Sequence, residues 1–66
     1  MFSKRLKDFR IEKGYSQSEL AKLLGVTKQN ISDWENQKSE TSFEMAIKIA
    51  KLFDVTVGQL LGAEEY

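Results

Sequence analysis

Apolar residues along the chain recur every three or four positions, and nowhere do they alternate with polar residues for the length of a strand. This periodicity is typical of amphipathic helices. The segments between the apolar stripes contain Gly, Ser and Thr, which commonly begin or end helices, and the chain contains no Pro. The pattern predicts an all-α fold with five helices.

The first two helices have boundaries that can be predicted from their flanking residues. The first is expected over residues 4–13, capped by Ser3 and ended by Gly14. The second opens with the Ser-Gln-Ser-Glu sequence of residues 16–19, which has the form of a capping box, and closes at Gly25. The residues expected to face the core are Phe2, Leu6, Phe9, Leu20, Ala21 and Leu24.

The third helix is expected over residues 28–36, with Thr27 as its cap. Its only large apolar residues are Ile31 and Trp34, which lie three positions apart and therefore on one side. Trp34 is expected to pack in the core, although a platform for stacking single-stranded bases is an alternative. The other faces of this helix are polar.

The fourth helix is the most apolar of the five. It begins either at Thr41, which would form a capping box with Glu44, or at Ser42, and it ends near Phe53. The residues expected to face inward are Phe43, Ala46, Ile49, Ala50 and Phe53.

The fifth helix is short. It opens with the Thr-Val-Gly-Gln sequence of residues 56–59, a third possible capping box, and Gly62 ends it after one or two turns. Residues 63–66 are expected to fray.

Composition narrows the range of functions. With 66 residues and no Cys or His, the chain lacks disulfides, thiolate ligands and the commonest general base, so we expect no metal, no cofactor and no enzymatic activity. The longest apolar runs have two or three residues, far fewer than the ~20 of a membrane helix, and the N-terminus does not resemble a signal peptide. We therefore expect a soluble, cytoplasmic protein.

The net charge is zero, which counts against nucleic-acid binding. However, the charge is unevenly distributed: residues 1–16 carry +3, residues 17–38 balance, and residues 39–66 carry −3. A chain polarised in this way can turn one face to an anion while remaining neutral overall. For the basic N-terminal run itself, an ordinary solvated helix face is the favoured interpretation.

The connection between the second and third helices carries a functional signal. Gly25, Val26 and Thr27 provide a flexible turn residue, a small apolar plug and a cap, which is the spacing of a helix-turn-helix. Any small bundle can contain a Gly turn, but the helix that follows favours the functional interpretation. It presents outward residue types that pair with base edges or phosphates: Lys28, Gln29, Asn30, Ser32 and Asp33.

The chain resembles the Cro and phage-repressor (Xre-like) helix-turn-helix family over residues 6–62. The segments that carry the likeness are LKDFR at 6–10, KGYSQSELA at 13–21, LGVT at 24–27, ISDWE at 31–35, IAKLFDVT at 49–56 and LLG at 60–62. The resemblance implies one compact five-helix, lambda-repressor-like domain over residues 1–66. It also implies that the second helix crosses the DNA backbone, that the third enters the major groove, and that Arg10 pairs with Glu35. A contact from Arg10 to phosphate is the alternative.

The resemblance further implies a set of contact residues. Base contacts are expected from Lys28, Gln29, Ser32 and Asp33, and phosphate contacts from Ser16, Gln17, Asn30, Asn36, Lys38 and Ser39. Asp33 could accept a hydrogen bond from the cytosine amino group, but its charge also repels phosphates. For Gln17, Lys28 and Gln29 the alternative is an ordinary polar first turn.

Two residues depart from the pattern of the family. Gln37 stands where relatives often have Gly, and Thr41 where they often have Pro. The loop after the third helix is therefore less constrained than usual. We expect Asn36 to adopt the left-handed conformation there, because Asn tolerates it better than Gln.

Assembly and function follow from the same resemblance. Apolar residues that could be exposed lie on the second helix, on the fourth, and towards the C-terminus, where related repressors dimerise: Leu23, Met45, Leu52, Val57 and Tyr66. The expected partners are a second copy of the chain and a near-palindromic double-stranded operator, bound by a transcriptional repressor or regulator. The rival hypothesis is a protein-interaction module, or an antitoxin-like partner, with the same fold.

Overall fold

The computed structural model describes residues 2–63, which form five helices and no strand. The helices are α1 (Phe2–Glu12), α2 (Gln17–Leu24), α3 (Lys28–Glu35), α4 (Phe43–Phe53) and α5 (Val57–Leu61). Among these residues no helix has the length and apolar character needed to cross a membrane. The all-α, five-helix prediction is confirmed.

A single apolar core lies between the helices. The Phe9 and Phe53 rings pack with their centroids 5.9 Å apart, which joins α1 to α4. The α1 helix also packs on α3 and α5, and α2 packs on α3. The buried apolar residues are Leu6, Phe9, Leu20, Ala21, Leu24, Ile31, Trp34, Ala46, Ile49, Ala50, Phe53 and Leu60.

Three capping boxes begin helices at residues that the sequence predicts as caps, although among these a full box is predicted only at Ser16 and Thr56. Ser16, Thr27 and Thr56 each accept a hydrogen bond from a backbone amide three residues later, and the side chain of that later residue accepts from the cap amide. The fourth cap is Ser42, whose hydroxyl accepts from the Met45 amide, so the alternative box from Thr41 does not form. Because each cap satisfies amides that the helix itself cannot, these short helices are held at defined starting points.

Two predictions about side chains are wrong. Ser3 does not cap α1: the helix begins at Phe2, which packs against the core, so Ser3 lies inside the helix and is buried. Phe43 does not face inward and is 69% exposed. Because helical side chains lean towards the N-terminus, the ring of the first residue of α4 extends past the helix end rather than over the core.

The C-terminal prediction is partly wrong. The amide of Ala63 donates to the Gly58 carbonyl oxygen at 2.8 Å, so Ala63 closes α5 and does not fray. The expected fraying of residues 64–66 and the expected exposure of Tyr66 lie outside the described residues. Met45, Leu52 and Val57 are partly buried against the core.

Candidate nucleic-acid interface

The turn between α2 and α3 is held by backbone and side-chain contacts. Gly25 has φ 72°, a left-handed conformation that Gly adopts at little cost, and the Val26 amide donates to the Ala21 carbonyl at 2.9 Å. Lys48 of α4 donates from Nζ to the Leu24 carbonyl oxygen at 2.9 Å. This cation satisfies a carbonyl at the negative end of α2, a contact for which we find no signal in the sequence.

The start of α3 is fixed within four residues. Thr27 Oγ1 accepts from the Asn30 amide at 3.0 Å, and Asn30 Oδ1 accepts from the Thr27 amide at 3.1 Å. The side-chain oxygen of Asn30 is therefore engaged in the cap. The Nδ2 group of the same side chain is the part that could donate to a phosphate.

The inner face of α3 combines apolar packing with a buried ion pair. Ile31 is fully buried and Trp34 is 7% exposed, which confirms the core position of Trp34. Arg10 donates to both carboxylate oxygens of Glu35, from Nε at 2.6 Å and from Nη2 at 3.1 Å. The two side chains are 11% and 3% exposed, so the pair predicted from the family resemblance is confirmed and largely shielded from water.

The ion pair is part of a larger network. Arg10 also donates from Nη1 to the Tyr15 carbonyl at 2.9 Å, and Gln17 donates from Nε2 to Glu35 Oε1 at 3.0 Å. The Glu35 carboxylate thus joins α1, α2 and α3. The bond from Gln17 has no signature in the sequence, because it joins residues 18 positions apart.

The outer face of α3 carries two hydrogen bonds between side chains one turn apart. Gln29 Nε2 donates to Asp33 Oδ1 at 2.8 Å, and Asn36 Nδ2 donates to Ser32 Oγ at 3.2 Å. Lys28 and Gln29 are exposed, whereas Ser32 and Asp33 are partly buried. The structure therefore brings the predicted base-contact residues together on one side of one helix, opposite the core.

Ser16 and Gln17 lie at the N-terminus of α2, Ser16 as its cap and Gln17 as its first residue. The Ser16 hydroxyl accepts from the Glu19 amide at 3.0 Å, and Glu19 Oε1 accepts from the Ser16 amide at 2.8 Å. Hydrogen bonds to the Glu19 carboxylate, first from the Ser16 backbone and then from the Ser16 side chain, lower the pKa of Glu19 from its ordinary 4.5.

The loop after α3 corrects one expectation. The left-handed residue is Gln37, with φ 59°, whereas Asn36 has φ −100°. The Asn36 amide still donates to the Ser32 carbonyl at 2.9 Å, as in the helix, so the left-handed position of the closing turn falls at residue 37. There the Lys38 amide donates to the Asp33 carbonyl at 2.8 Å and the Gln37 amide to that of Trp34 at 3.4 Å.

The rest of this loop is mostly exposed, including Asn36, Lys38 and Ser39. The Thr41 hydroxyl oxygen is an exception: it is buried and has no hydrogen-bond partner among the described residues. In residues 2–63, no group of three or more acidic side chains lies in a position to hold a metal ion.

The sequence profile of the helix-turn-helix family matches residues 6–60. The chain belongs to the helix-turn-helix family. Among its relatives, the HTH-type transcriptional regulator SinR of Bacillus subtilis is 42% identical over 62 residues, which cover 92% of this chain and 56% of SinR. The SPbeta prophage-derived HTH-type regulator YonR of the same organism is 38% identical, again over 92% of this chain and 56% of the relative.

These relatives are longer proteins. The chain spans between 16% and 60% of the length of eight curated relatives that it matches. The helix-turn-helix domain therefore corresponds to a part of each of them.

Solved structures share the fold at appreciable identity. The crystal structure of SinR, a master regulator for biofilm formation, in complex with DNA has a TM-score of 0.84 and 40% identity, covering 92% of this chain and 98% of that one. The hydroxypropylphosphonic acid epoxidase of S. wedmorenis also matches, with a TM-score of 0.81 and 32% identity, but over only 31% of the enzyme. That likeness concerns a helix-turn-helix portion of a much larger chain and does not carry its activity to this one.

Proposed function

We propose that this chain is a sequence-specific DNA-binding domain of a transcriptional regulator, that it is not an enzyme, and that α3 enters the major groove of double-stranded DNA. The observation that carries the proposal is the division of α3 into two faces. One face is fixed by Ile31, Trp34 and the Glu35 network, and the other presents polar side chains to solvent. A helix that reads bases needs such rigid support, because its side chains must keep their register against the base edges.

The comparisons support this function, since the relatives are HTH-type transcriptional regulators and SinR has been solved with DNA. In the proposed complex the base edges face Lys28, Gln29, Ser32 and Asp33. The phosphates face the N-termini of α2 and α3 and the loop after α3. The residues proposed to contact them are Ser16, Gln17, Asn30, Asn36, Lys38 and Ser39.

Selection of binding sites from a random double-stranded DNA library, followed by gel shifts at low and moderate salt, tests the proposal. The wild-type protein should enrich one site. Gln29→Ala should cost roughly 1–3 kcal/mol on that site and relax the preference at one base pair. Lys38→Ala should instead weaken binding to all sequences alike and reduce the dependence of log K on log salt by about one unit.

Lys7→Ala is the matched control, because it removes an exposed Lys from α1 and leaves the proposed contact residues in place. It should preserve the selected site. If Lys28→Ala, Gln29→Ala and the wild type select the same site with the same relative affinities, α3 does not read the bases.

We also propose that the domain binds as a homodimer to a near-palindromic site. Exposed apolar side chains on α4 and α5, Phe43 and Leu61, support an interface at the C-terminal side of the domain. A two-fold dimer would place its α3 helices about 34 Å apart, in successive major grooves. Footprinting should then show two half-sites one helical turn apart, whereas a single half-site bound by one copy would contradict the dimer.

A protein-interaction module is the second candidate. The zero net charge and the partly buried Asp33 on the outer face of α3 favour it, since both oppose attraction to phosphates. This alternative predicts that the selection enriches no sequence at either salt concentration.

A further inference from the structure

The hydrogen bond between Gln29 and Asp33 bears on how the outer face of α3 would distinguish bases, an inference that rests on the proposed function. The two residues are four positions apart, and their side chains meet on the face opposite the core, with Gln29 Nε2 2.8 Å from Asp33 Oδ1. Gln29 lies in the first turn of α3, where a helix that enters the major groove presents its side chains to base edges.

A carboxylate restricts the orientation of the amide next to it. Asp33 can only accept hydrogen bonds, so it holds the NH2 group of Gln29 and repels its carbonyl oxygen. Rotating the amide by half a turn would bring two oxygens together at the same distance. The bond is also charge-assisted and therefore stronger than one between neutral groups. As a result, Gln29 has one orientation in which its oxygen points away from Asp33.

We propose that Asp33, instead of making the base contact expected of it above, is a positioning residue that fixes Gln29 for adenine. With one N–H committed to Asp33, the Gln29 amide retains one donor and one acceptor side by side. The major-groove edge of adenine offers the complementary pair, the N7 acceptor and the N6 amino donor. Guanine presents two acceptors at that edge and would leave the Gln29 oxygen facing another oxygen.

The same geometry has a cost in affinity. A carboxylate on the face that approaches DNA repels the phosphates, whatever the sequence. Asp33 therefore lowers binding to all DNA while it increases the difference between adenine and the other bases. Specificity arises here partly by disfavouring the wrong partners.

Binding to the selected site and to its variants at the base pair read by Gln29 tests this assignment. In Asp33→Ala the preference for adenine should fall about fivefold to tenfold, the size of a hydrogen-bond contribution, while affinity for random-sequence DNA rises about twofold. Asp33→Asn removes the charge but keeps an oxygen that can accept from Gln29. It should show the same gain on random DNA and an adenine preference between those of the wild type and Asp33→Ala.

Glu12→Ala, which removes an exposed carboxylate from α1, is the control for charge and should leave the adenine preference unchanged. A variant that had lost its fold would lose affinity for random DNA, so the expected gain cannot arise from misfolding. If Asp33→Ala keeps the wild-type preference, or turns a cytosine preference into none, the positioning role is wrong while DNA binding stands. If the wild type itself selects no sequence, the proposed function fails first and this assignment with it.

Discussion

At its N-terminus α3 is held mainly by contacts between residues close in the chain, with one bond from Lys48 of α4 to the preceding turn, whereas at its C-terminus it is held by side chains from two other helices. The first end consists of Gly25, Val26 and the capping box from Thr27. The second end depends on Glu35, whose carboxylate binds Arg10 of α1 and Gln17 of α2. The start of the helix is thus a local property of the sequence, and its end is a property of the folded domain.

The difference also appears in backbone strain. At the start of α3 the left-handed residue is Gly25, but at the end it is Gln37. A residue with a Cβ pays roughly 1–2 kcal/mol in that conformation, so the tertiary contacts at this end must hold the loop against a local preference. Thr41 adds to this cost, because its buried hydroxyl lacks a partner in the described part of the chain.

The largest expected effect comes from breaking the buried network. Arg10→Met or Glu35→Leu alone leaves an uncompensated buried charge and should lower the free energy of unfolding by about 3 kcal/mol. The double variant should recover much of this loss, because an apolar pair of similar volume avoids the desolvation cost. Urea denaturation of the single and double variants measures both effects.

The exposed pair between Lys4 and Asp8, 3.0 Å apart with side chains 70% and 41% exposed, provides the control. Lys4→Met should change the free energy of unfolding by less than about 1 kcal/mol. Small, additive losses in the Arg10 and Glu35 variants, comparable to that of Lys4→Met, would contradict the anchoring role of the network.

Removing the local cap at the other end of α3 should have a smaller effect. Thr27→Ala deletes the oxygen that accepts from the Asn30 amide and should cost about 1 kcal/mol, whereas Thr27→Ser keeps the oxygen and most of the stability. Thermal melts of both variants measure the difference. Equal melting temperatures for the Ala and Ser variants would show that the cap does not stabilise this end.

The smallest effect should be a gain. Gln37→Gly relieves the left-handed strain but increases the freedom of the unfolded chain, so the net stabilisation should be about 0.5–1 kcal/mol. In a domain of this size that raises the melting temperature by a few degrees. Asn36→Gly is the matched control: it has no positive φ to relieve and loses the bond to Ser32, so it should destabilise. If Asn36→Gly instead stabilised the domain and Gln37→Gly destabilised it, the left-handed residue would be Asn36 rather than Gln37.

The features that the sequence predicts are those set by residues close together in the chain, and the features that it misses depend mostly on contacts between distant residues. The caps at Ser16, Thr27 and Thr56, and the stop at Gly25, were predictable because residue type and spacing within four positions determine them. The outward polar face of α3 was predictable for the same reason. These local signals account for the five helices and for the set of residues on the candidate interface.

The remaining features depend on distant contacts or on a boundary shifted by one or two residues. Asn36 is the better left-handed residue by type, but its amide still makes a helical bond to the Ser32 carbonyl, so the left-handed position falls one residue later, at Gln37. Ser3 has the residue type of a cap, but α1 already includes Phe2, which packs against the core, so Ser3 lies within the helix. The bonds from Gln17 to Glu35 and from Lys48 to Leu24 join separate helices and have no local signature.

Three basic side chains donate to carbonyl oxygens of the protein's own backbone: Arg5 to Gln59, Arg10 to Tyr15 and Lys48 to Leu24. A cation held in this way is less free to reach a phosphate and displace a condensed counterion, so it adds less of the entropy that drives non-specific association. If the domain binds DNA as proposed, its ten basic residues overstate its attraction to DNA of random sequence. Such a domain would dwell only briefly at unrelated sites and would depend on the match at its operator for residence time.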